Sequence, residues 1–325
     1  MKFGMPFGAN VLALLFLALP SMAVIAAYPD KPIKLIGPFV PGGGTDVLAR
    51  LVADKLSKDL GTPVVIENKA GAGGTIGSDV AAKSAPDGYT LLLANNATLA
   101  FAPSLYPKLP YDPVKDFTPI SMVAVGPSIM VVHPSVEAKS VAEFIALLKQ
   151  KPGALNYGSA GSGSMAHVST AFFAQQSATK GVHIPFKGGG AAVQELVAGR
   201  LQFMIAGPVE IIPLIEAGRV RALGVTSATR FSGVPSLPTL AEAGLPSFEI
   251  VNWFAVVAPA GIDPAIASLL AQKITAIVTT PAMKSTMVKS GVEPRSISGP
   301  ALKDFVRDEV ARWTREITKL DITLD

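Results

Sequence analysis

The sequence contains no cysteine. Disulfides, thiolate metal sites and cysteine nucleophiles are excluded together. Histidine is scarce: His133, His167 and His183 stand singly along the chain, with no metal-ligand spacing around any of them. Charged residues make up 16% of the chain, and the net charge of +4 is spread without any run of Lys and Arg. Nucleic-acid binding calls for a concentrated basic stripe, so no nucleic-acid partner is expected. A diffuse positive field attracts anionic solutes only weakly. Catalytic signatures are missing too. There is no P-loop, no G-x-S-x-G elbow and no H-E-x-x-H. Gly161-x-Gly163-x-x-Ala166 meets a loose dinucleotide pattern, but no acidic residue follows at the spacing a ribose requires. Neither a cofactor nor a metal is expected.

What is present begins with an export signal. Lys2 precedes the apolar run Val11–Leu19, and small residues follow at Ser21, Ala23, Ala26 and Ala27. That order is the layout of a secretory signal peptide. The run falls well short of the roughly 20 residues of a membrane span. Residues 1–27 are assigned as a signal peptide that is removed, so the mature chain works outside the cytoplasm. No later apolar run reaches membrane length. The remaining chain, about 300 residues, fits two domains better than one small core.

Several segments read as strand, glycine loop, helix. Ile33–Ile36 is an apolar strand, Pro41-Gly42-Gly43-Gly44-Thr45-Asp46 is a loop, and Val47, Leu48, Leu51, Val52 and Leu56 recur at helical spacing. Thr45 or Asp46 is the expected helix cap, and Gly61 the expected stop. A second glycine loop, 71–77, follows the strand at 63–67, and a third strand spans 90–94. Residues 101–120 are proline-rich and expected to be irregular. The theme then recurs. Leu155-Asn156-Tyr157 precedes the loop Gly158–Ser164, and Ile184-Pro185-Phe186 precedes Lys187-Gly188-Gly189-Gly190. Further strands are expected at 129–132, 203–206 and 222–225, and a long amphipathic helix at the C-terminal end. Strands alternating with helices argue for parallel α/β architecture.

A helix N-terminus leaves about four N–H groups unpaired and carries roughly half a positive charge. A glycine loop ahead of it lets a carboxylate or phosphate approach closely. Loops 41–46 and 158–164 lie in opposite halves of the chain. Facing each other, they would offer N–H groups and the hydroxyls of Thr45, Ser159, Ser162 and Ser164 to one anionic ligand. His167 starts the helix after the second loop and is placed near the same cleft. Lys187 reads as a solvated loop lysine. Glu210 and Glu216 read as solvated ends of a proline-interrupted stretch, not as a paired acid and base.

Tyr28-Pro29-Asp30-Lys31-Pro32-Ile33 followed by Pro41–Asp46 resembles the mature start of the Bug/TctC family, the extracytoplasmic solute-binding receptors of tripartite tricarboxylate transporters. The resemblance continues through Glu67–Gly74, Pro86–Leu92, Tyr157–Ser164, Pro185–Gly190, Arg221–Ser227 and Leu237–Pro246. It implies a type II periplasmic-binding-protein fold, two α/β lobes with a ligand cleft between them. Lobe one would comprise 28–127 plus 252–325, and lobe two 128–251. Ligand carboxylate would be gripped by Gly43, Gly44 and Thr45 on one side and by Ser159, Ala160, Gly161 and Ser164 on the other. Family members often read Val-Asp-x-Met-Phe-Asp where this chain has Gln202-Phe203-Met204-Ile205-Ala206-Gly207, so the second Asp is missing. That departure favours a plain carboxylate with an apolar or aromatic body over an amino acid. Phe39, Phe101 and Trp253 are candidate apolar walls, although core packing is the preferred reading for each.

The expected function is a non-enzymatic, monomeric periplasmic receptor. It would capture a small organic carboxylate and deliver it to the membrane permease of a tripartite tricarboxylate transporter. Two other readings compete: presentation of the bound carboxylate to a sensor kinase, and a secreted hydrolase on the same scaffold. The missing elbow and metal cluster argue against the last. Closure on ligand is expected to turn on residues near Gly126-Pro127 and Val251-Asn252.

Overall fold

A computed structural model describes residues 28–320 together with residues 1, 4, 322 and 324. Apart from Met1 and Gly4, the expected signal peptide lies outside the described residues.

The chain alternates as expected. It opens with β1 (Ile33–Gly37), α1 (Gly44–Leu60), β2 (Val64–Asn68), α2 (Thr75–Ala82), β3 (Thr90–Asn95), α3 (Ala102–Leu105) and β4 (Phe117–Pro127). The middle supplies β5 (Ile129–Val132), α4 (Val141–Gln150), β6 (Asn156–Ser159), α5 (Met165–Ser177), β7 (Val182–Pro185), α6 (Gly189–Val197), β8 (Phe203–Ala206), α7 (Pro208–Glu216) and β9 (Arg221–Val225). The last part adds β10 (Val251–Pro259), α8 (Pro264–Val278), α9 (Pro281–Lys289), β11 (Glu293–Pro294) and α10 (Gly299–Ile317). Local chemistry sets many boundaries. Gly61 ends α1 in the left-handed region at φ 66°. Ser140 Oγ caps α4 by accepting from Glu143 N. Asp263 caps α8 ahead of Pro264.

Two sheets result. The first runs β11-β4-β10-β3-β1-β2 and the second β7-β6-β8-β5-β9. In each, parallel strands joined by helical crossovers sit beside antiparallel ones: β1 is parallel to β2 and β3, and β6 to β7 and β8, while β10 and β5 run antiparallel to their neighbours. These are two α/β lobes with a cleft between them, the type II periplasmic-binding-protein architecture. The chain crosses from the first sheet to the second at Ser128 and returns ahead of Val251. The crossings lie side by side: Pro127 pairs with Val251 and Gly126 with Asn252. Ser128 N donates to Thr226 Oγ1 at 2.8 Å, and Thr226 N donates back to Ser128 O at 3.0 Å.

One expectation is revised. The irregular stretch does not fill 101–120. Residues 96–101 form one wide π-type turn running into α3, and β4 starts at Phe117. Asn95 and Thr98 cap that turn reciprocally, each side chain accepting from the other's backbone N–H. The longest strands, β4 and β10, carry no alternating pattern because both faces are covered; seven consecutive residues of β10, Trp253–Pro259, are buried. Pro119 fits within β4 because β11 reaches only Ala124 and Val125, leaving an open edge at Pro119.

Away from the cleft, the halves are joined by aromatic packing. Trp313 of α10 meets Phe101 edge-on at 4.9 Å and Phe172 of α5 at 5.6 Å. Glu309 Oε2 accepts from the indoles of Trp253 at 2.9 Å and Trp313 at 3.3 Å. Phe101 and Trp253 are thus core residues rather than cleft walls, both fully buried.

Candidate functional site

Parallel strands followed by helices place every strand-to-helix loop at the strands' C-terminal ends, where α/β proteins bind ligands. Here the loops before α1, α2, α5, α6 and α7 all reach one cavity of about 580 Å³ between the sheets. Its charged wall residues are Lys187 and Glu210, and Phe39, Tyr106, Phe186 and Phe254 supply aromatic surface.

The first wall is the β1–α1 loop. Gly43, not Thr45 or Asp46, is the N-cap of α1, in extended backbone with no side-chain cap. Asp46 instead braces the loop from inside the first turn. Its Oδ2 accepts from Gly42 N and Arg50 Nε, both at 2.9 Å, and its Oδ1 accepts from Asn68 Nδ2 at 2.9 Å. Burial alone would raise the Asp46 carboxyl. The hydrogen bonds from Arg50, Gly42 and Asn68 outweigh it and hold the group below the ordinary carboxylate range. An ionised Asp46 therefore fixes the loop while the N–H groups of Gly44 and Thr45 stay outside the helical ladder. Gly43, Gly44 and Thr45 line the cavity.

The second wall is the β6–α5 loop. Ala160, Gly161, Ser162 and Ser164 line the cavity, and Gly161 and Gly163 occupy φ 117° and 77°, which a side chain would strain. Ser164 caps α5. Ser159 departs from expectation. It is fully buried, and its Oγ lies 2.7 Å from His183 Nε2 and bonds Gly161 on both sides, O at 3.0 Å and N at 3.2 Å. Its hydroxyl is spent inside the loop. His167, placed near the cleft by its position, supports the loop from below: its Nδ1 accepts from Gly163 N at 3.2 Å. That bond leaves the proton of the neutral ring on Nε2. Burial, and then the neighbouring His183, push His167 down from 6.5 to about 3.

Two further walls come from segments that the sequence reading did not place at the cleft. Gly71–Gly74 approaches the β6–α5 loop, so a β-carbon on Gly73 would lie 3.3 Å from Ser162 O. Phe186–Gly189 and Pro208–Glu210 close the remaining side. Lys187 is a solvent-exposed rim residue, as expected. Glu210 is not a solvated end. Pro213 sits inside a continuous α7, and Glu210, in its first turn, faces the cavity. The readable cue was a strand followed directly by Gly207-Pro208, a helix start that places Glu210 beside the loop.

The fold and cleft define the class of extracytoplasmic solute-binding receptors. The model of the tripartite tricarboxylate transporter family receptor matches residues 48–322. The chain belongs to this TctC family, whose members are periplasmic binding proteins. It is 40% identical to Protein BugT of Bordetella pertussis over 287 residues, 88% of each chain. Among solved structures, R. palustris Rpa4515 with adipate superposes with a TM-score of 0.88 at 34% identity, covering 92% of this chain and 100% of that one. MatC from Rhodopseudomonas palustris with bound malate gives 0.82 at 31% identity, covering 89% and 100%.

Proposed function

We propose that this protein is a non-enzymatic, monomeric periplasmic receptor that captures a small organic carboxylate and delivers it to the permease of a tripartite tricarboxylate-type transporter. The observation that carries the reading is the convergence of five helix N-termini on one cavity. Each contributes partial positive charge, and those of α1 and α5 add backbone N–H groups outside the helical ladder, so their sum suits a carboxylate without any catalytic group. The adipate and malate of the two R. palustris relatives support that ligand chemistry. In this reading Gly43, Gly44, Thr45, Ala160, Gly161 and Ser164 hold the carboxylate, and Ser159 holds the loop. Lobe one is 28–127 plus 252–325 and lobe two is 128–251. Residues 1–27 direct export and are removed.

The test is a melting experiment on protein stripped of bound ligand. A carboxylate at 100 times its dissociation constant should add about 2.7 kcal/mol. Its amide or ester should add nothing, and the ligand should be recovered chemically unchanged. Turnover of the ligand, or a broad carboxylate panel without a shift, would defeat the reading.

A further inference from the structure

Glu210 is the acidic side chain on the cavity wall. Its carboxylate lies against the first turn of α6 and reaches towards the N-cap of α1. A β-carbon on Gly189 would stand 2.6 Å from its Oε2 and 2.7 Å from its Oε1, and one on Gly43 would stand 3.8 Å from Oε1. Glycine at 189 is therefore what admits the carboxylate to this position. Among the described residues, nothing donates a hydrogen bond to Glu210 and no cation pairs with it. Lys187, the other charged wall residue, is turned to solvent. Asp46, the nearest acid of α1, is already bound by Arg50, Gly42 and Asn68. The cavity thus combines backbone N–H donors with one carboxylate that has no protein partner among the described residues.

We propose that Glu210 is a specificity-determining residue that reads a cationic nitrogen, so that the ligand is an aminocarboxylate. The inference rests on the carboxylate-receptor reading and refines it. The ligand carboxylate takes the helix N-termini and its ammonium takes Glu210, leaving neither charge buried alone. A dicarboxylate such as the adipate of Rpa4515 would bring a second negative charge against Glu210. Desolvation acts in the same direction: burial raises the Glu210 carboxyl, the mark of an acid without a counter-ion. This reverses the sequence expectation of a plain carboxylate. The missing family Asp is offset by an acid from the next helix.

Calorimetry on stripped wild type and Glu210→Gln tests it. The probes are the standard α-amino acids and the ω-amino acids through 6-aminohexanoate. Their des-amino counterparts and the matching dicarboxylates, adipate included, complete the panel. The tightest wild-type ligand should be an aminocarboxylate. Glu210→Gln should weaken it about 10–150-fold, the worth of a hydrogen bond to a charged group, and tighten the matching dicarboxylate. Circular dichroism should show the variant folded. The inference is overturned if des-amino or dicarboxylate probes bind wild type as tightly as their amino counterparts, or if Glu210→Gln leaves the affinities in place. Either result leaves the carboxylate-receptor reading standing. Absence of binding by every probe to both proteins would bring down that reading and the inference with it.

Discussion

The imidazoles of His167 and His183 stack face to face, 3.7 Å apart between centroids and 10° from parallel. Along the chain the two residues look unrelated. In the fold they hold the β6–α5 loop from two points, Gly163 N and Ser159 Oγ. Tyr157 extends the stack, 5.0 Å from His183.

Acid should loosen this loop. His167 is neutral when folded, depressed from 6.5 to about 3 by burial and by His183. A histidine depressed in the folded state gives stability that is present above its unfolded value and lost as pH falls through the folded one. The affected window is therefore about 6.5 down to about 3, and the loss is of order a few kcal/mol. His167→Phe keeps the stack and removes the titration. Its melting temperature should be lower than wild type at neutral pH and should fall less steeply on acidification. Parallel curves for the two proteins would count against the assignment.

Thr45 and Ser159 should part company under mutation. Thr45 Oγ1 has no protein partner among the described residues, and Gly43 rather than Thr45 caps α1. Thr45→Val should weaken carboxylate binding about 10–150-fold while the melting temperature stays within a degree or so of wild type. Ser159→Ala breaks buried bonds to His183 and Gly161. It should lower stability by about 1–3 kcal/mol and weaken binding as a consequence. Calorimetry paired with melting separates the two. Equal stability losses in both variants would show that Thr45 is structural as well.

Glu210 should destabilise the empty receptor. A carboxyl raised by burial contributes stability below its unfolded value that is lost as pH rises through the folded one. Unliganded Glu210→Gln should therefore melt higher than wild type at neutral pH, and the difference should close in acid. A variant less stable at neutral pH would mean that ionised Glu210 has a stabilising partner.

Most of the architecture was legible from residue pattern, because amphipathic helices such as α10 and glycine loops such as 41–46 have local causes. What stayed hidden depends on distance in the chain. The edges of β4 and β10 are set by pairing between residues more than a hundred positions apart, such as Pro127 with Val251. Their prolines and continuous apolar runs carry no period to read. The same holds in the site. The loops at 41–46 and 158–164 announced themselves through glycine. Ser159 turned inward because His183 lies on the neighbouring strand β7, and Glu210 entered the cleft because Gly189 leaves room for it.

The two halves touch across the cleft, and the contacts suggest how closure can be tested. A β-carbon on Gly188 would stand 2.7 Å from Val40 Cγ2, and one on Gly291 would stand 2.3 Å from Pro208 Cβ. The paired crossings at Pro127 and Val251 and the Phe172–Trp313 contact join the halves, and rotation should turn about them. A ligand held by loops of both halves should favour this touching arrangement, because only it brings both sets of N–H groups within reach. Carboxylate should then reduce the radius of gyration in X-ray scattering. Val40 is partly solvent-exposed, so Val40→Trp should fold normally while its ring props Gly188 away. The variant should bind carboxylate more weakly and keep the larger radius at saturation. If wild type and Val40→Trp bind equally and neither scattering curve moves, the cleft captures its ligand as a rigid body.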